Sequence, residues 1–378
     1  MGDDQTGGQT VKTVVDRLRV TCPVRLALSV CLLTLAARAG LAHADGGSTI
    51  SHDIESAAVA GNQMGITSLR RVLVYMPEGY DKSRRSYPVI YWIPGWETPA
   101  SREYVGSLDE AIGDGKLPPV IVVNIDVREG LVLLNSTVFG RWEDFVVDEL
   151  VPFIDAEYRT IPLPQGRALM GHSTGGYGAM MLPLLHPGVW SAVGLNDASV
   201  WGGCPDEMFR GVRALGAIPD GFNLIRDFSD YATASGAAQA TMQIGIVLAP
   251  NPEALLLFDL PDPEVAQMSS VWHDYCLMDP SMAPARHDAL SMLSVIAVGV
   301  ADRDLATNYD ANISMLSAFH KAGVKATYIP TPGSHGGNRP HRFITLAREV
   351  TAAMNVGFPD PTVTTPAAWA RTREAARP

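Results

Sequence analysis

Short apolar runs that alternate with longer segments of helical spacing restrict most strongly how this sequence can fold. The run YPVIYWI at Tyr87–Ile93 is apolar throughout, as expected of a strand buried on both faces. Further strands are predicted at Arg71–Met76, Val120–Ile125, Arg167–Met170, Ala192–Leu195, Ser294–Gly299 and Ala326–Ile329, and helices at Asp144–Tyr158, Tyr177–His186 and Tyr309–Ala322. This alternation indicates an α/β fold with a mostly parallel central sheet and helices on both faces.

The alternation stops between Trp201 and Leu293, a long stretch rich in Pro, Ala and Asp. We expect residues 201–293 to be an insertion before the penultimate strand that caps or walls a site. Residues 45–355 are then one domain that carries this insertion. The Pro-, Thr- and Ala-rich residues 356–378 are expected to be a loosely ordered tail.

Composition and charge exclude several classes of protein. The sequence is 47% hydrophobic and 18% charged, which is typical of a globular protein with a full core. Its net charge of -11 offers no basic field to attract phosphates, so neither nucleic acid nor an anionic membrane surface is expected as a partner.

Residues 1–44 have the pattern of a secretory signal peptide. Arg17, Arg19 and Arg25 precede an apolar run, and Ala42-His43-Ala44 supplies a small-x-small cleavage site. The apolar run is shorter than the roughly 20 residues that span a bilayer, so no stable membrane span is expected after cleavage. A buried N-terminal helix or an uncleaved anchor is the alternative. The pattern predicts a protein that is secreted or held in the cell envelope.

Cleavage after Ala44 would leave two cysteines, Cys204 and Cys276. An exported chain with two cysteines favours a disulfide between them, and two buried thiols are the alternative. Neither cysteine has the surroundings of a nucleophile, so the disulfide would be structural.

Gly171-His172-Ser173-Thr174-Gly175 is the strongest local motif. A Gly-x-Ser-x-Gly pattern arises easily by chance, but here a short apolar strand precedes it and an Ala-, Met- and Leu-rich helix follows. In that setting the serine lies on a sharp turn with its Oγ exposed above the sheet, and Ser173 is predicted to be a nucleophile. The alternative is a glycine-rich turn with an idle serine.

The serine needs a base, and a triad in this arrangement runs in the order Ser, Asp or Glu, His. His335 lies in a glycine-rich loop directly after the last strand and is predicted to be the general base. The acid should follow the penultimate strand. Asp302 comes first there and is the preferred candidate; Asp304 is the main rival and Asp197 a third candidate.

Two backbone amides are expected to stabilise the negative charge that develops during attack. One is the N–H of Thr174, directly after the nucleophile. The other should come from the loop after Tyr87–Ile93, and we expect the N–H of Trp96 to supply it. The Trp96 side chain could in addition be a packing aromatic, because only its backbone is required.

Several segments together resemble the esterase D-like family of α/β-hydrolases, which includes S-formylglutathione hydrolases, enterochelin and feruloyl esterases and mycolyltransferases. They are RRVLVYMPEGYDKSRRSYPVIYWIPGW, GRWEDFVVDELVPFIDAEYRT, GRALMGHSTGGYGAMMLPLLHPGVWSAV, GVADRD and PGSHGGNRPHRF. The resemblance covers roughly 54–350. It implies an α/β-hydrolase fold without cofactor or metal, and Ser173, Asp302 and His335 as nucleophile, acid and base. Thr174 stands where the family commonly has Met, and Trp96 adds a bulky group at the mouth of the site.

The sequence predicts an exported serine esterase that cleaves a small-molecule or lipid ester through an acyl-enzyme. An acyltransferase of the mycolyltransferase type would use the same triad, and a catalytically inactive binding protein is the non-enzymatic alternative. The acyl and alcohol groups of the substrate and the oligomeric state do not follow from the sequence.

Overall fold

A computed structural model describes the chain at residues 46–96, 98–130, 132–201, 204, 244–254, 257–259, 275–279 and 282–354. The predicted signal peptide at 1–44, the predicted tail at 356–378 and most of the predicted insertion at 201–293 lie outside these residues. The division of the chain into these parts therefore stays a prediction.

The described residues form an eight-stranded sheet with the strand order β1-β2-β4-β3-β7-β8-β9-β10. β1 pairs with β2 and β2 with β4 in antiparallel fashion, and every other neighbouring pair is parallel. A second, two-stranded sheet joins β5 and β6. The strands are β1 Ser48–Glu55, β2 Leu69–Met76, β3 Val89–Ile93, β4 Ile121–Ile125, β5 Asn135–Ser136, β6 Gly140–Arg141, β7 Arg167–His172, β8 Ala192–Asn196, β9 Val295–Arg303 and β10 Thr327–Ser334.

Helices cover both faces of the large sheet. They are α1 Val105–Gly113, α2 Trp142–Asp144, a π-helical segment Phe145–Leu150, α3 Val151–Glu157, a 3-10 turn Pro164–Gly166, α4 Thr174–Leu185, α5 Met282–Ala285, α6 His287–Ser291, α7 Ala306–Lys321 and α8 Arg339–Met354. Leu108 of α1 and Phe343 of α8 belong to the apolar core on one face. Met180 of α4, Phe319 of α7 and Leu150 belong to the core on the other.

The central strands explain why the apolar runs are continuous. Every residue of β3, β4, β7 and β8 is buried, because helices cover these strands on both sides. The edge strand β1 instead alternates between exposed and partly buried residues. The mostly parallel sheet with helices on both faces that the sequence predicts is thus confirmed.

Two strands extend further than the sequence indicates. Candidate site residues that were expected in the loops after these strands therefore lie within or directly after them. The prediction ended the penultimate strand at Gly299 and the last strand at Ile329, whereas β9 continues to Arg303 and β10 to Ser334. Because β7, β8, β9 and β10 are parallel, their carboxyl ends meet at one edge of the sheet. In folds of this kind, that edge holds the functional site.

Within the described part of the chain, no helix combines the length and the apolar character that crossing a membrane requires.

Candidate active site

Ser173 lies on the sharp turn between β7 and α4. Its backbone has φ 55 and ψ -122, a strained conformation for a residue that is not glycine. The turn is possible because Gly171 and Gly175 lack side chains. A Cβ on Gly171 would lie 2.1 Å from Gly175 O, and one on Gly175 would lie 2.2 Å from Ile93 O. Ser173 N–H donates to Asn196 O at 3.0 Å, which fixes the turn to the end of β8.

A chain of hydrogen bonds joins Ser173 to His335 and Asp304. His335 Nε2 lies 3.0 Å from Ser173 Oγ, and His335 Nδ1 lies 2.7 Å from Asp304 Oδ1. With its proton on Nδ1, the neutral imidazole donates to Asp304 and accepts from the serine hydroxyl. The side chain of Asp304 is fully buried, whereas the side chain of His335 is 25% exposed. This arrangement can remove a proton from Ser173 and stabilise the imidazolium that results.

The geometry does not support Asp302, the preferred candidate, as the partner of His335. Asp302 is still within β9, its side chain is 59% exposed, and its carboxylate accepts a hydrogen bond from Gly333 N at 2.8 Å. The strand ends only at Arg303, so the first residue beyond it is Asp304, the rival candidate. The difference is one of strand length, since β9 continues four residues beyond Gly299 and the first aspartate beyond the strand is therefore Asp304.

Asp197, the third candidate for the acid, is already paired with a cation. Its carboxylate forms a buried ion pair with Arg342 of α8 and accepts hydrogen bonds from Ala301 N at 2.8 Å and Gly336 N at 3.0 Å. Burial raises the pKa of Asp197, whereas these N–H groups and the Arg342 guanidinium act in the opposite direction.

His172 lies directly behind the His335 ring. The two ring centroids are 5.0 Å apart, and His172 Nδ1 lies 3.0 Å from Asn196 O. Burial, reinforced by the neighbouring His335, lowers the pKa of His172 to about 3. His172 is therefore neutral at physiological pH and packs against His335 without adding a positive charge.

Two polar residues that the sequence did not single out contact the same chain of hydrogen bonds. Ser199 Oγ lies 3.3 Å from Ser173 Oγ, and Ser199 N–H donates to Ser173 O at 2.8 Å. Asn308 Nδ2 lies 3.2 Å from His335 Nδ1. No spacing signal marks either residue, because each reaches the site only through the folding of β8 and α7 around it.

The predicted amide donors lie beside Ser173. Thr174 is the first residue of α4, so its N–H has no acceptor within the helix. The loop after β3 also passes close to Ser173, since a Cβ on Gly95 would lie 3.3 Å from Ser173 Cβ. Trp96 follows Gly95 and packs against the apolar core with its partly buried side chain. Both N–H groups stay predictions as donors to a developing oxyanion.

An apolar pocket lies next to Ser173, since Thr174 and Ser199 contribute to its lining. Its lining residues are Val132, Thr174, Tyr177, Ser199, Trp201, Ile244 and Leu248. The Trp201 Nε1–H donates to Asn308 Oδ1 at 2.6 Å, and the Tyr177 hydroxyl donates to Tyr275 O at 2.7 Å. This apolar lining suits an apolar group next to Ser173.

A disulfide joins Cys204 and Cys276. Cys204 N–H donates to Trp201 O at 2.9 Å, and Cys276 directly follows Tyr275, whose carbonyl accepts from Tyr177. The crosslink therefore connects the two chain segments that support the pocket wall.

Asp197, Asp304 and His335 each bring one ligand atom within 4.8 Å of the others, a spacing that could hold a metal ion. The contacts of these groups favour a different use. The Arg342 guanidinium already neutralises Asp197, and Asp304 Oδ1 accepts from His335. A cation next to Arg342 would be repelled, so the donor set fits a hydrogen-bonded triad better than a metal centre.

Part of the chain is similar to known proteins. The family model described as "Putative esterase" matches residues 65–214, which include Ser173. The chain is 34% identical over 152 residues to an endo-1,4-beta-xylanase/feruloyl esterase of Xylanibacter ruminicola, covering 36% of this chain and 20% of that protein. It is 34% identical over 116 residues to an esterase of Mycobacterium tuberculosis, covering 29% of this chain and 25% of that protein. The chain thus spans a quarter or less of the length of these two relatives.

Solved structures extend the likeness of fold beyond the matched segment. A ferulic acid esterase aligns with a TM-score of 0.57 at 18% identity, covering 82% of this chain and 99% of that one. A ferulic acid esterase from Anaeromyces mucronatus, in complex with ferulic acid, aligns with a TM-score of 0.50 at 13% identity, covering 90% and 100%. The fold is that of the α/β-hydrolases.

The resemblance to the esterase family that the sequence indicates is confirmed by the match at 65–214 and by these relatives. Both of these relatives are described as esterases.

Proposed function

We propose that this chain is an exported serine hydrolase that cleaves carboxylic esters through an acyl-enzyme, with Ser173, His335 and Asp304 as its triad. One observation carries the proposal: the unbroken hydrogen-bond chain from Ser173 Oγ through the His335 ring to the buried Asp304 carboxylate. Such a chain lets a serine hydroxyl act as a nucleophile at neutral pH.

In the first half of the reaction, Ser173 Oγ attacks the ester carbonyl carbon while His335 Nε2 takes the hydroxyl proton. Asp304 stabilises the imidazolium, and the N–H groups of Thr174 and Trp96 donate to the oxyanion. The C–O bond to the alcohol then breaks, and His335 returns its proton to the leaving alcohol. An acyl group remains on Ser173.

In the second half, His335 takes a proton from water and the resulting hydroxide attacks the acyl carbon. The tetrahedral intermediate breaks its bond to Ser173 Oγ, which regains the proton from His335. A carboxylic acid leaves, and the enzyme returns to its starting state.

The apolar pocket supports a small apolar group as one half of the substrate. Thr174 and Ser199 contribute to its lining, and both adjoin Ser173 in sequence or by contact. The lining side chains of Val132, Ile244 and Leu248 are apolar, which favours an apolar group there.

Export is supported by two independent features. The pattern of residues 1–44 is typical of a signal peptide, and a disulfide such as that between Cys204 and Cys276 is typical of oxidising compartments and rare in the cytosol. Recovery of the processed chain from the medium or the cell envelope, with the N-terminus at Asp45, tests this part of the proposal. Full-length chain retained in the cytoplasm would overturn it.

A panel of p-nitrophenyl esters of rising acyl length tests the proposed activity. We expect kcat/KM to be highest for acetate and butyrate and at least about tenfold lower for octanoate, because an acyl chain that overfills the pocket loses the fit to the nucleophile. Ser173→Ala is the matched control and should abolish turnover. Equal hydrolysis by wild type and Ser173→Ala would overturn the proposal, and transfer of the acyl group to an added alcohol in preference to water would replace hydrolysis with acyl transfer.

A further inference from the structure

The buried ion pair between Asp197 and Arg342 lies beside the histidine loop but has no part in the reaction steps above. The side chains of Asp197 and Arg342 are 0% and 2% exposed. Asp197 directly follows β8 and has φ 47, and Arg342 is in the first turn of α8. A buried pair of this kind contributes little to stability, because removing both charges from water offsets their attraction. Its position therefore calls for an explanation other than stability.

Both members of the pair hold the backbone around His335. On one side, Arg342 Nη2 donates to Ser334 O at 3.2 Å and to Pro332 O at 3.1 Å. On the other side, Gly336 N–H donates to Asp197 Oδ2 at 3.0 Å. The residues that immediately precede and follow His335 are thus each bonded to one member of the pair.

Asp197 also fixes this loop to the strand that carries the acid. Ala301 N–H of β9 donates to Asp197 Oδ1 at 2.8 Å, three residues before Asp304. The same carboxylate therefore positions the loop of His335 relative to the segment of Asp304. Any displacement of the carboxylate would change the 2.7 Å distance between His335 Nδ1 and Asp304 Oδ1.

The pair also sets the charge around the imidazole. The charged or titratable groups around the histidine loop come from four elements: Asp304 after β9, Asp197 after β8, His172 at the end of β7, and Arg339 and Arg342 of α8. His172 is neutral, and Arg339 forms an ion pair with Glu103 at 3.0 Å. Arg342 neutralises Asp197, so Asp304 is left as the carboxylate that polarises His335.

We propose that Asp197 and Arg342 form a positioning pair for His335, which holds its loop in register with Asp304 and keeps a second carboxylate from acting on the imidazole. The role in catalysis rests on the proposed function, in which His335 is the base. The geometric and charge roles belong to the folded protein and can be measured without a substrate.

Asp197→Asn is the most informative variant. Asparagine tolerates the positive φ at this position and can still accept one backbone hydrogen bond, so the backbone can stay in place. Arg342 cannot lose its proton, so its charge is left uncompensated near His335 and disfavours the imidazolium. We expect the acid limb of the pH profile of kcat/KM for p-nitrophenyl acetate to move down by about one pH unit or more. We also expect kcat to fall about tenfold or more as the loop shifts.

Two further variants separate charge from geometry. Asp197→Asn combined with Arg342→Met removes both charges, so the acid limb should return to within a few tenths of a pH unit of wild type while kcat stays low. Arg342→Lys keeps the charge but loses the forked donors to Pro332 and Ser334. It should leave the acid limb in place, lower kcat and leave KM unchanged.

The titration of the His335 Cε1–H resonance gives a readout that is independent of activity. In the oxidised full chain, with the resonance assigned from its loss in His335→Gln, the midpoint should move down in Asp197→Asn and return in the double variant. An unchanged midpoint together with unchanged kcat in Asp197→Asn would overturn the proposal, even if its melting temperature falls. Should Asp197→Asn not fold, Arg342→Lys with wild-type kcat would overturn it. An inactive wild type whose midpoints still shift would reject the proposed function and keep the positioning pair.

Discussion

The two aspartates at the end of β9 differ in what they contact. Asp304 is bonded to His335 Nδ1 at 2.7 Å, whereas Asp302 is exposed and accepts from Gly333 N. We expect Asp304→Asn to lower kcat by about 10³–10⁴, because an amide cannot stabilise the imidazolium and favours the wrong tautomer. Asp302→Asn, the matched control, should change kcat by less than about threefold.

Steady-state kinetics of both variants with one p-nitrophenyl ester checks this. A large loss of kcat in Asp302→Asn, together with a kcat near that of wild type in Asp304→Asn, would show that Asp302 is the acid.

His172 makes stability depend on pH in a predictable direction. Burial lowers the pKa of His172 from 6.5 to about 3, so between these values the unfolded chain binds a proton that the folded chain does not. The free energy of unfolding therefore falls as the pH is lowered from 6.5 toward 3. His172→Asn keeps a donor for Asn196 O but does not titrate.

When the pH is lowered from 7.5 to 4.5, the free energy of unfolding of wild type should fall by about 2–3 kcal/mol more than that of His172→Asn. Urea unfolding at the two pH values, with the disulfide intact, measures the difference. Equal losses in the two proteins would show that His172 titrates normally in the folded state.

Local patterns in the sequence single out Ser173 and His335, but not residues that come together only through the fold. Ser173 has glycines two positions away on either side, and His335 lies in a glycine-rich loop after an apolar strand. Arg342 is one arginine in an otherwise ordinary helix, and nothing in its spacing indicates that it is buried against Asp197. That pairing depends on α8 packing across β8, a long-range contact that local patterns do not encode.

At the level of elements, the close approach of α4 to β3 determines where Ser173 lies. A Cβ on Gly175 would lie 2.2 Å from both Ile93 O and Pro94 O, which are backbone atoms that cannot rotate away. Gly175→Ala should therefore reduce the free energy of unfolding by about 1–3 kcal/mol or more and lower kcat/KM, since α4 must move away from the loop after β3.

Gly106→Ala is the matched control, because a Cβ at Gly106 in α1 meets nothing within 4 Å. It should stabilise the chain by up to about 1 kcal/mol through helix propensity and leave activity unchanged. Urea unfolding and the nitrophenyl assay together test the pair. Wild-type stability and activity in Gly175→Ala would contradict the close packing.

The strands that the sequence predicts as continuous apolar runs are the ones buried on both faces. β3 and β4 are apolar runs, and their position in the sheet makes every residue buried. The edge strand β1 (STISHDIE) was not predicted, because it is mostly polar and is held by pairing with β2. α8 was also missed, since its first turn, RPHR, resembles a continuation of the histidine loop.

At the scale of the whole molecule, the disulfide crosslinks positions that are 72 residues apart. Closing a loop of this length in the unfolded chain is worth about 4 kcal/mol in the chain-entropy model. We expect the double variant Cys204→Ala and Cys276→Ala to lose free energy of unfolding of this order or less. It should therefore unfold at a lower urea concentration. KM should rise, because Trp201 and Tyr275 adjoin the crosslink.

Reduction of wild type should reproduce the effect of the double variant, while the double variant itself should not respond to reductant. Identical urea midpoints for the oxidised wild type and the double variant would contradict a stabilising role.

Ser173 is the residue on which the whole account depends, and covalent labelling tests it most directly. A fluorophosphonate probe should add one adduct to the wild-type chain, detected by intact mass and mapped to Ser173, because only an activated serine reacts at an appreciable rate. Ser173→Ala should carry none, and Asp304→Asn should label far more slowly than Asp302→Asn. An unlabelled wild type beside a labelled control esterase, or an adduct on a residue other than Ser173, would contradict the account.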